Sequence, residues 1–462
     1  MSDGGSQQAA RGVAGPQVRK ARNAVYAVFV GNGVIFASWA SRIPQVRSEL
    51  RVSPGVLGLI LLCTAVGSSI ATPLSGLVIS WLGETRTVVV MSLTAAAGVA
   101  VVAVGYRLGI APVGVGLFLF GLGSGAWDVA MNVQGAAVEQ ALGRAILPRF
   151  HAGWSIGTVA GAAGGAAMVA LGVPVTVHLL AVAVAVAVAV PVAARRFLPG
   201  TRPAAGQDKD KVTNTGQVTN TGQVTNTGQV TNTGQDTNTG QDTGREAARR
   251  GALAAWTEPR TLLIGLFVLC MAFTEGTGND WLSLAVIDGY HTAAVTGTLT
   301  LAIFLAAMTA GRWFGPRLID RYGRVPVLRA CAATALTGLL MIDFGGFLAV
   351  ALPGAVLMGL GTSLGFPVGL SAAADDPRYA ASRVATAASI GYLAFLAGPP
   401  AVGFLGDHIG VLHSLSIAVV LLAAALILCR ATAPAGPPSP ATHASRQHDR
   451  ASPQDPAEGE PG

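Results

Sequence analysis

Long apolar runs, each broken by a short polar or charged turn, set the rhythm of this chain. A helix needs about 20 mainly apolar residues to cross a bilayer. Six such runs precede residue 195, near 23–42, 54–80, 86–106, 110–137, 148–172 and 174–194. Six more follow, near 259–288, 293–319, 324–345, 347–372, 380–404 and 411–430. Several exceed a bare hydrocarbon span, which predicts tilt or extension beyond it. Ala181 to Val190 alternates Ala and Val and superficially reads as a strand. Both partners are apolar, however, and an open strand in lipid leaves its backbone unpaired, so a helix is expected there too.

Composition agrees with this pattern. Apolar residues make up 51% of the chain and charged residues 11%, against roughly 25% charged in a soluble domain. The expected fold class is therefore an all-α integral membrane protein of twelve transmembrane helices. Cys63, Cys270, Cys331 and Cys429 are dispersed in apolar runs. They suggest neither a disulfide framework nor a metal site, and no metal or cofactor is expected.

The net charge of +7 matters mainly through its distribution. One set of alternate loops holds Arg86, Arg144, Arg149, Arg317, Arg321, Arg324, Arg378 and Arg383, and a central linker adds eight more basic residues. The opposite loops hold only Arg42, Arg47, Arg51 and Arg107. This asymmetry predicts a multi-pass protein of the plasma (inner) membrane with both termini cytoplasmic. It reads as orientation in a lipid bilayer and not as a nucleic-acid patch. Residues 1–22 lack the apolar core and cleavage site of a signal peptide and read as a cytosolic tail.

The expected organisation is a tail (1–22), a six-helix bundle (23–194), a linker (195–254), a second six-helix bundle (255–430) and a tail (431–462). The linker carries VTNTGQ four times from Val212 to Gln235 and DTNTGQ once. Such short polar copies bury no core and predict a flexible connection. The second tail, rich in Pro, Ala and charge, is expected to be disordered. The halves carry traces of duplication. Ser155-Ile156-Gly157 with Ala160, Ala163 and Gly164 matches Ser389-Ile390-Gly391 with Ala394, Ala397 and Gly398. Gly121-Leu122-Gly123 likewise matches Gly359-Leu360-Gly361.

The pattern resembles the major facilitator superfamily. Its hallmark loop after the second helix, roughly G-x-x-x-D-x-x-G-x-x-R, is represented by Gly76, Ser80, Gly83 and Arg86, with Ser80 in place of the aspartate. The second-half equivalent is Asp320-Arg321-Tyr322-Gly323-Arg324 after Pro316, and a partial copy is Gly403-x-x-x-Asp407-x-x-Gly410. The resemblance implies a gating role for Gly83, Arg86, Asp320, Arg321, Gly323 and Arg324. Gly121, Gly123, Asp128, Asn132, Arg149 and Phe150 make the first half most similar to the fucose–proton symporter branch. By motif position Asp128 would take part in proton coupling and substrate binding. The acid that this branch carries in its first helix is missing from the stretch Asn32 to Pro44.

Residue by residue, the candidates are as follows. An aspartate mid-helix such as Asp128 costs about 2.5–3.5 kcal/mol at the bilayer centre on insertion scales and must be protonated, paired or facing water. Asn132, four residues on, shares its face. The two suit a protonatable binding site or a structural polar pair. Glu275 and Asp280 flank Gly276 and Gly278 in the seventh run, which predicts a loosened helix beside a cavity. Glu275 is placed for substrate or proton, and Asp280 for a gate or a solvated position. Asn32, Trp39 and Arg42 lie towards the outer end of the first helix. Arg42 is expected to pair with Glu275 or Asp280, to bind an anionic group, or to snorkel to headgroups. Trp39 stacks on substrate or joins an interfacial belt. His151, after Arg149 at the mouth of the fifth helix, is placed to relay protons or to anchor the loop. Tyr392 is placed as a hydrogen-bonding group of a cavity.

Gly157, Gly161 and Gly165 form a smooth stripe for close helix packing. They also resemble the fifth-helix signature of drug–proton antiporters, with Ala162 where that signature has proline. No phosphate loop, zinc helix, nucleophile elbow or kinase motif occurs, so an enzyme is not expected. The expected function is a monomeric secondary transporter that moves a small organic solute by alternating access, coupled to protons. Sugar-like solutes come first, drug or metabolite efflux second, and a non-transporting receptor or scaffold is the reading from another class.

Overall fold

The computed structural model describes residues 15–143, 146–199, 254–376 and 379–434. The VTNTGQ repeats, nearly all of the linker and second tail, Arg144 and Arg378 lie outside the described residues. Twelve long helices account for the described chain, which contains no strand. They are α1 (Pro16–Ala40), α2 (Pro54–Leu82), α3 (Glu84–Gly105), α4 (Ile110–Leu142), α5 (Leu147–Ala170), α6 (Val175–Ala194), α7 (Pro259–Tyr290), α8 (Ala294–Tyr322), α9 (Arg324–Phe344), α10 (Leu348–Thr362), α11 (Ala380–Ile409) and α12 (Ser416–Leu428). A short helix, Ile43–Leu50, follows α1, and Gly365–Ala373 continues α10.

Joined with these short pieces, and α12 with Val411–Ser414 and Cys429–Thr432, eleven are long and apolar enough to cross a membrane by length and composition. The remaining one, α5, carries Arg149, His151 and many small residues, which lower its hydropathy. Ala181–Val190 is helical inside α6. Proline opens α1, α2 and α7, where its missing N–H costs nothing. Glycine with positive φ closes α2 at Gly83 (77°) and α8 at Gly323 (83°).

One expectation about helix continuity is corrected. Gly276 and Gly278 do not loosen the seventh helix, because α7 runs unbroken through them. A side chain at Gly278 would instead meet the Phe304 ring at 2.5 Å, so this glycine serves packing. The break falls in α10, at Ser363-Leu364.

The duplication is a duplication of contacts. In the first half α3 packs on α4, α2 on α4, α1 on α5, and α6 on α3 and α1. The second half repeats each pairing six helices later. The matched glycines are where backbones touch. A Cβ on Gly98 would lie 2.5 Å from the Gly116 carbonyl, and one on Gly338 would lie 2.5 Å from the Gly354 carbonyl. Gly121 and Gly359 press on Thr64 and Phe304, while Gly123 and Gly361 press on Ala95 and Ala335. The Gly-Leu-Gly repeat thus seats α4 and α10 between two neighbours each. The halves meet along two seams, α2 with α11 and α5 with α8, themselves related by the same six-helix shift.

The fifth-helix stripe belongs to the same scheme. Side chains at Gly157 and Gly161 would strike the Val30 and Val34 carbonyls of α1 at 2.3 and 2.6 Å, whereas Gly164 faces open space. Gly157→Val should therefore destabilise the protein by about 1–3 kcal/mol, while Gly164→Ala should be neutral. Thermal unfolding of both variants in detergent checks this, and equal melting temperatures would contradict the packing role.

Candidate functional site

A cavity of about 230 Å³ lies between the halves. Its wall is built from helical stripes spaced by three or four residues. Asn32, Phe36 and Trp39 come from α1, Thr64, Ser68 and Thr72 from α2, and Gly121, Ser124, Gly125 and Asp128 from α4. Trp154 of α5 joins them. The second half supplies Glu275, Gly276, Asn279 and Asp280 from α7 and Tyr392, Phe395 and Pro399 from α11. The predicted residues Asn32, Trp39, Asp128, Glu275, Asp280 and Tyr392 thus converge on one space.

The polar groups of this wall are organised by one residue that the sequence reading did not single out. Arg312, midway along α8, donates to Glu275 at 2.7 Å and to the Ser363 carbonyl at the α10 break at 3.4 Å. Its guanidinium carbon stands 5.8 Å from the Trp154 ring centroid, within cation–π range. The Trp154 indole N–H donates in turn to Asn32 at 2.9 Å. A continuous chain, Glu275–Arg312–Trp154–Asn32, therefore ties α7 and α8 to α5 and α1 across the seam. The available signal was a lone arginine inside an apolar run, where a charge is costly and marks a functional position.

Asp128 is 3% exposed. Asn132 sits behind it, outside the cavity wall, and donates to the Asp128 backbone oxygen at 2.9 Å and to its carboxylate at 3.4 Å. Among the described residues no basic side chain lies within ion-pair distance of Asp128 or Asp280. Trp39 is 4% exposed and faces the cavity, so it does not belong to an interfacial belt.

Other expectations are redirected. Arg42 pairs with neither Glu275 nor Asp280, and it does not snorkel. It is buried within the first half, where it donates to His178 Nδ1 at 2.9 Å and to the Val173 carbonyl at 3.1 Å. Arg47 forms the cross-half ion pair instead, with Asp288. His151 lies edge-on to Phe29 with ring centroids 5.2 Å apart. Arg149 and Arg86 are exposed.

In the second-half loop, Asp320 and Arg321 are exposed, and Arg321 lies over Tyr322 with 5.2 Å to its ring centroid. The charge latch there is made by Arg324, which donates to Asp375 at 2.9 Å. Arg260 reaches the same carboxylate at 2.8 Å. The Gly403–Gly410 copy sits on the face away from the termini and has a different use. The Asp407 carboxylate accepts the Gly55 N–H at 3.0 Å and the Ser53 hydroxyl at 3.2 Å. It thereby caps the positive N-terminus of α2 from the opposite half. Gly58 against Pro399 and Gly403 against Pro54 complete that closure.

Comparison with known proteins accounts for this architecture. The family model of the Major Facilitator Superfamily matches residues 24–399 and 281–455. The chain belongs to the Major Facilitator Superfamily. An uncharacterized transporter of Sinorhizobium fredii, y4wD, is 30% identical over 388 residues, spanning 83% of this chain and 90% of its own length. The nucleoside transporter NupG superposes with a TM-score of 0.64 at 12% identity, over 90% of this chain and 98% of its own. The E. coli fucose:proton symporter FucP does so with 0.57 at 16%, over 89% and 98%. At such identities the solved structures speak to the fold alone. Membership of the Major Facilitator Superfamily makes the chain a secondary transporter working by alternating access, and not an enzyme.

The Glu275–Arg312 pair generates a stability test. Arg312→Gln should cost about 3–5 kcal/mol by leaving a buried carboxylate unpaired. Adding Glu275→Gln should recover much of that loss. A thermal-unfolding double-mutant cycle measures the coupling, and simple additivity would mean that the pair is not energetically joined.

Proposed function

We propose that this protein carries a small, polar, sugar-sized organic solute across the plasma membrane, coupled to protons, with both termini cytoplasmic and the single chain as the working unit. The observation that carries this reading is the cavity shared by both halves, with Asp128 on its wall and closure at the face away from the termini. Asp407 on the α2 N-terminus and Arg47 with Asp288 make that closure. Access is then from the termini side, where the wall descends along α2 to Ser69 and Thr72. Alternating access requires the Asp407 and Arg47 contacts to open as the opposite side closes.

Proton coupling is assigned first to Asp128, since Glu275 is engaged by Arg312. A scaffold without turnover would need the carboxylates packed shut, whereas three of them line one space. Efflux of drug-sized molecules gains little support. The glycine stripe that suggested it is used against α1, and the cavity is smaller than the roughly 300–1,000 Å³ of drug-sized pockets.

Two variants in proteoliposomes test the reading. Asp128→Asn should abolish accumulation driven by an imposed pH gradient. Cysteines replacing Arg47 and Asp288, once oxidised to a disulfide, should stop transport, and reduction should restore it. Full gradient-driven uptake by Asp128→Asn would remove the proton assignment. Unimpaired transport by the cross-linked protein would remove the gating assignment.

A further inference from the structure

The charges of the cavity do not balance, and the imbalance says what kind of solute it takes. We propose that the solute is a small organic cation, an amine on a polar body, which exchanges against protons on Asp128 and Asp280. This rests on the transporter reading above and narrows its solute.

Asp128, Glu275 and Asp280 line the cavity, and among the described residues no basic side chain does. Arg312, which adjoins the wall through Glu275 and Trp154, is engaged with Glu275 at 2.7 Å. Two carboxylates remain, one from each half. A bare carboxylate removed from water is costly until a proton or a cation neutralises it. An anionic solute would add to that cost. An ammonium would remove it, and the faces of Phe36, Trp39 and Phe395 would add cation–π attraction.

A second observation points to a ligand independently of charge. Asn32 is 5% exposed and lines the cavity, yet its Nδ2 has no hydrogen-bond partner. The Thr64 hydroxyl and Asn279 Oδ1 are unpartnered on the same wall. A donor, a hydroxyl and an acceptor left unpartnered this way fit a solute that carries hydroxyl or amide groups beside its amine. The cavity, about 230 Å³, has room for a body of about monosaccharide size.

The exchange balances without a co-reactant. An ammonium binds with its own protons retained, and the carboxyl O–H proton it displaces leaves to solvent. One proton is released for each positive charge bound, so the charge of the site does not change. Few other groups bear on this step. Towards the cavity, α1, α2 and α5 present no charged side chain to Asp128, and α11 presents Tyr392. His151 lies against Phe29, off the wall. Asp280 shares the cavity wall with Glu275 on its own helix and Tyr392 of α11.

A matched panel tests the charge class on the full chain in detergent. The probes are N-methylglucamine, sorbitol and gluconate, with cyclic amines, neutral polyols and acids of the same size. Thermal shift and tryptophan fluorescence report binding, since Trp39 and Trp154 line the cavity. Amines should bind, and binding should weaken as the pH is lowered and protons compete for the carboxylates. Mixing in weak buffer should release protons. Asp128→Asn and Asp280→Asn should each weaken amine binding about tenfold or more at unchanged melting temperature. Binding confined to neutral or acidic probes, no binding by any amine, or indifference to both substitutions would overturn the proposal. Gradient-driven uptake of a neutral probe would leave the transporter reading standing without it. Uptake of no probe would count against both.

Discussion

Lipid gives helices no hydrophobic reason to associate, since a hydrocarbon tail is as apolar as leucine. Association must come from close backbone contact and from the few polar groups that lipid cannot solvate. The first term builds each half here. Gly98 with Gly116, and Gly338 with Gly354, bring helices to carbonyl distance at equivalent crossings. The two Gly-Leu-Gly segments wedge α4 and α10 between their neighbours in the same way. A cavity remains in the middle because the halves meet mainly along two seams.

The second term, charge, is used differently at three depths. On the termini side, Asp375 gathers Arg260 and Arg324 and binds the second half to itself. At the opposite face, Asp407 and Asp288 reach into the first half and hold the two bodies together. Midway, Arg312 connects Glu275 to Trp154 and, through it, to Asn32. A contact that spans the seam feels any rocking of one half against the other. A contact within a half does not. The Asp407 cap and the Arg312 chain are therefore the groups through which the site and the seams communicate.

The two halves share a frame and differ in chemistry. Ser80 stands where the second half has Asp320, and the compensating second-half latch runs through Arg324 and Asp375. The first half buries Arg42 on a histidine and a carbonyl without a carboxylate. Its one cavity acid is Asp128, whereas α7 presents two.

Helix number, duplication and the three acids of the cavity could be read from the chain. A helix in lipid must be long and apolar, so any charge within it stands out, as Asp128 and Glu275 did. Packing glycines repeat because the crossings they serve repeat. Partnership was another matter. Arg42 was the arginine expected to meet Glu275, and only the tertiary fold put His178 beside it and Arg312 beside the carboxylate. The Asp407 motif looked like a loop latch until α11 brought it to the N-terminus of α2. The break expected in α7 fell in α10, because a glycine pressed against Phe304 packs and does not bend. One-dimensional pattern reports the solvent each residue needs, and lipid makes that report clear. Which residues meet depends on how two rigid halves are set against each other, and that is decided in three dimensions.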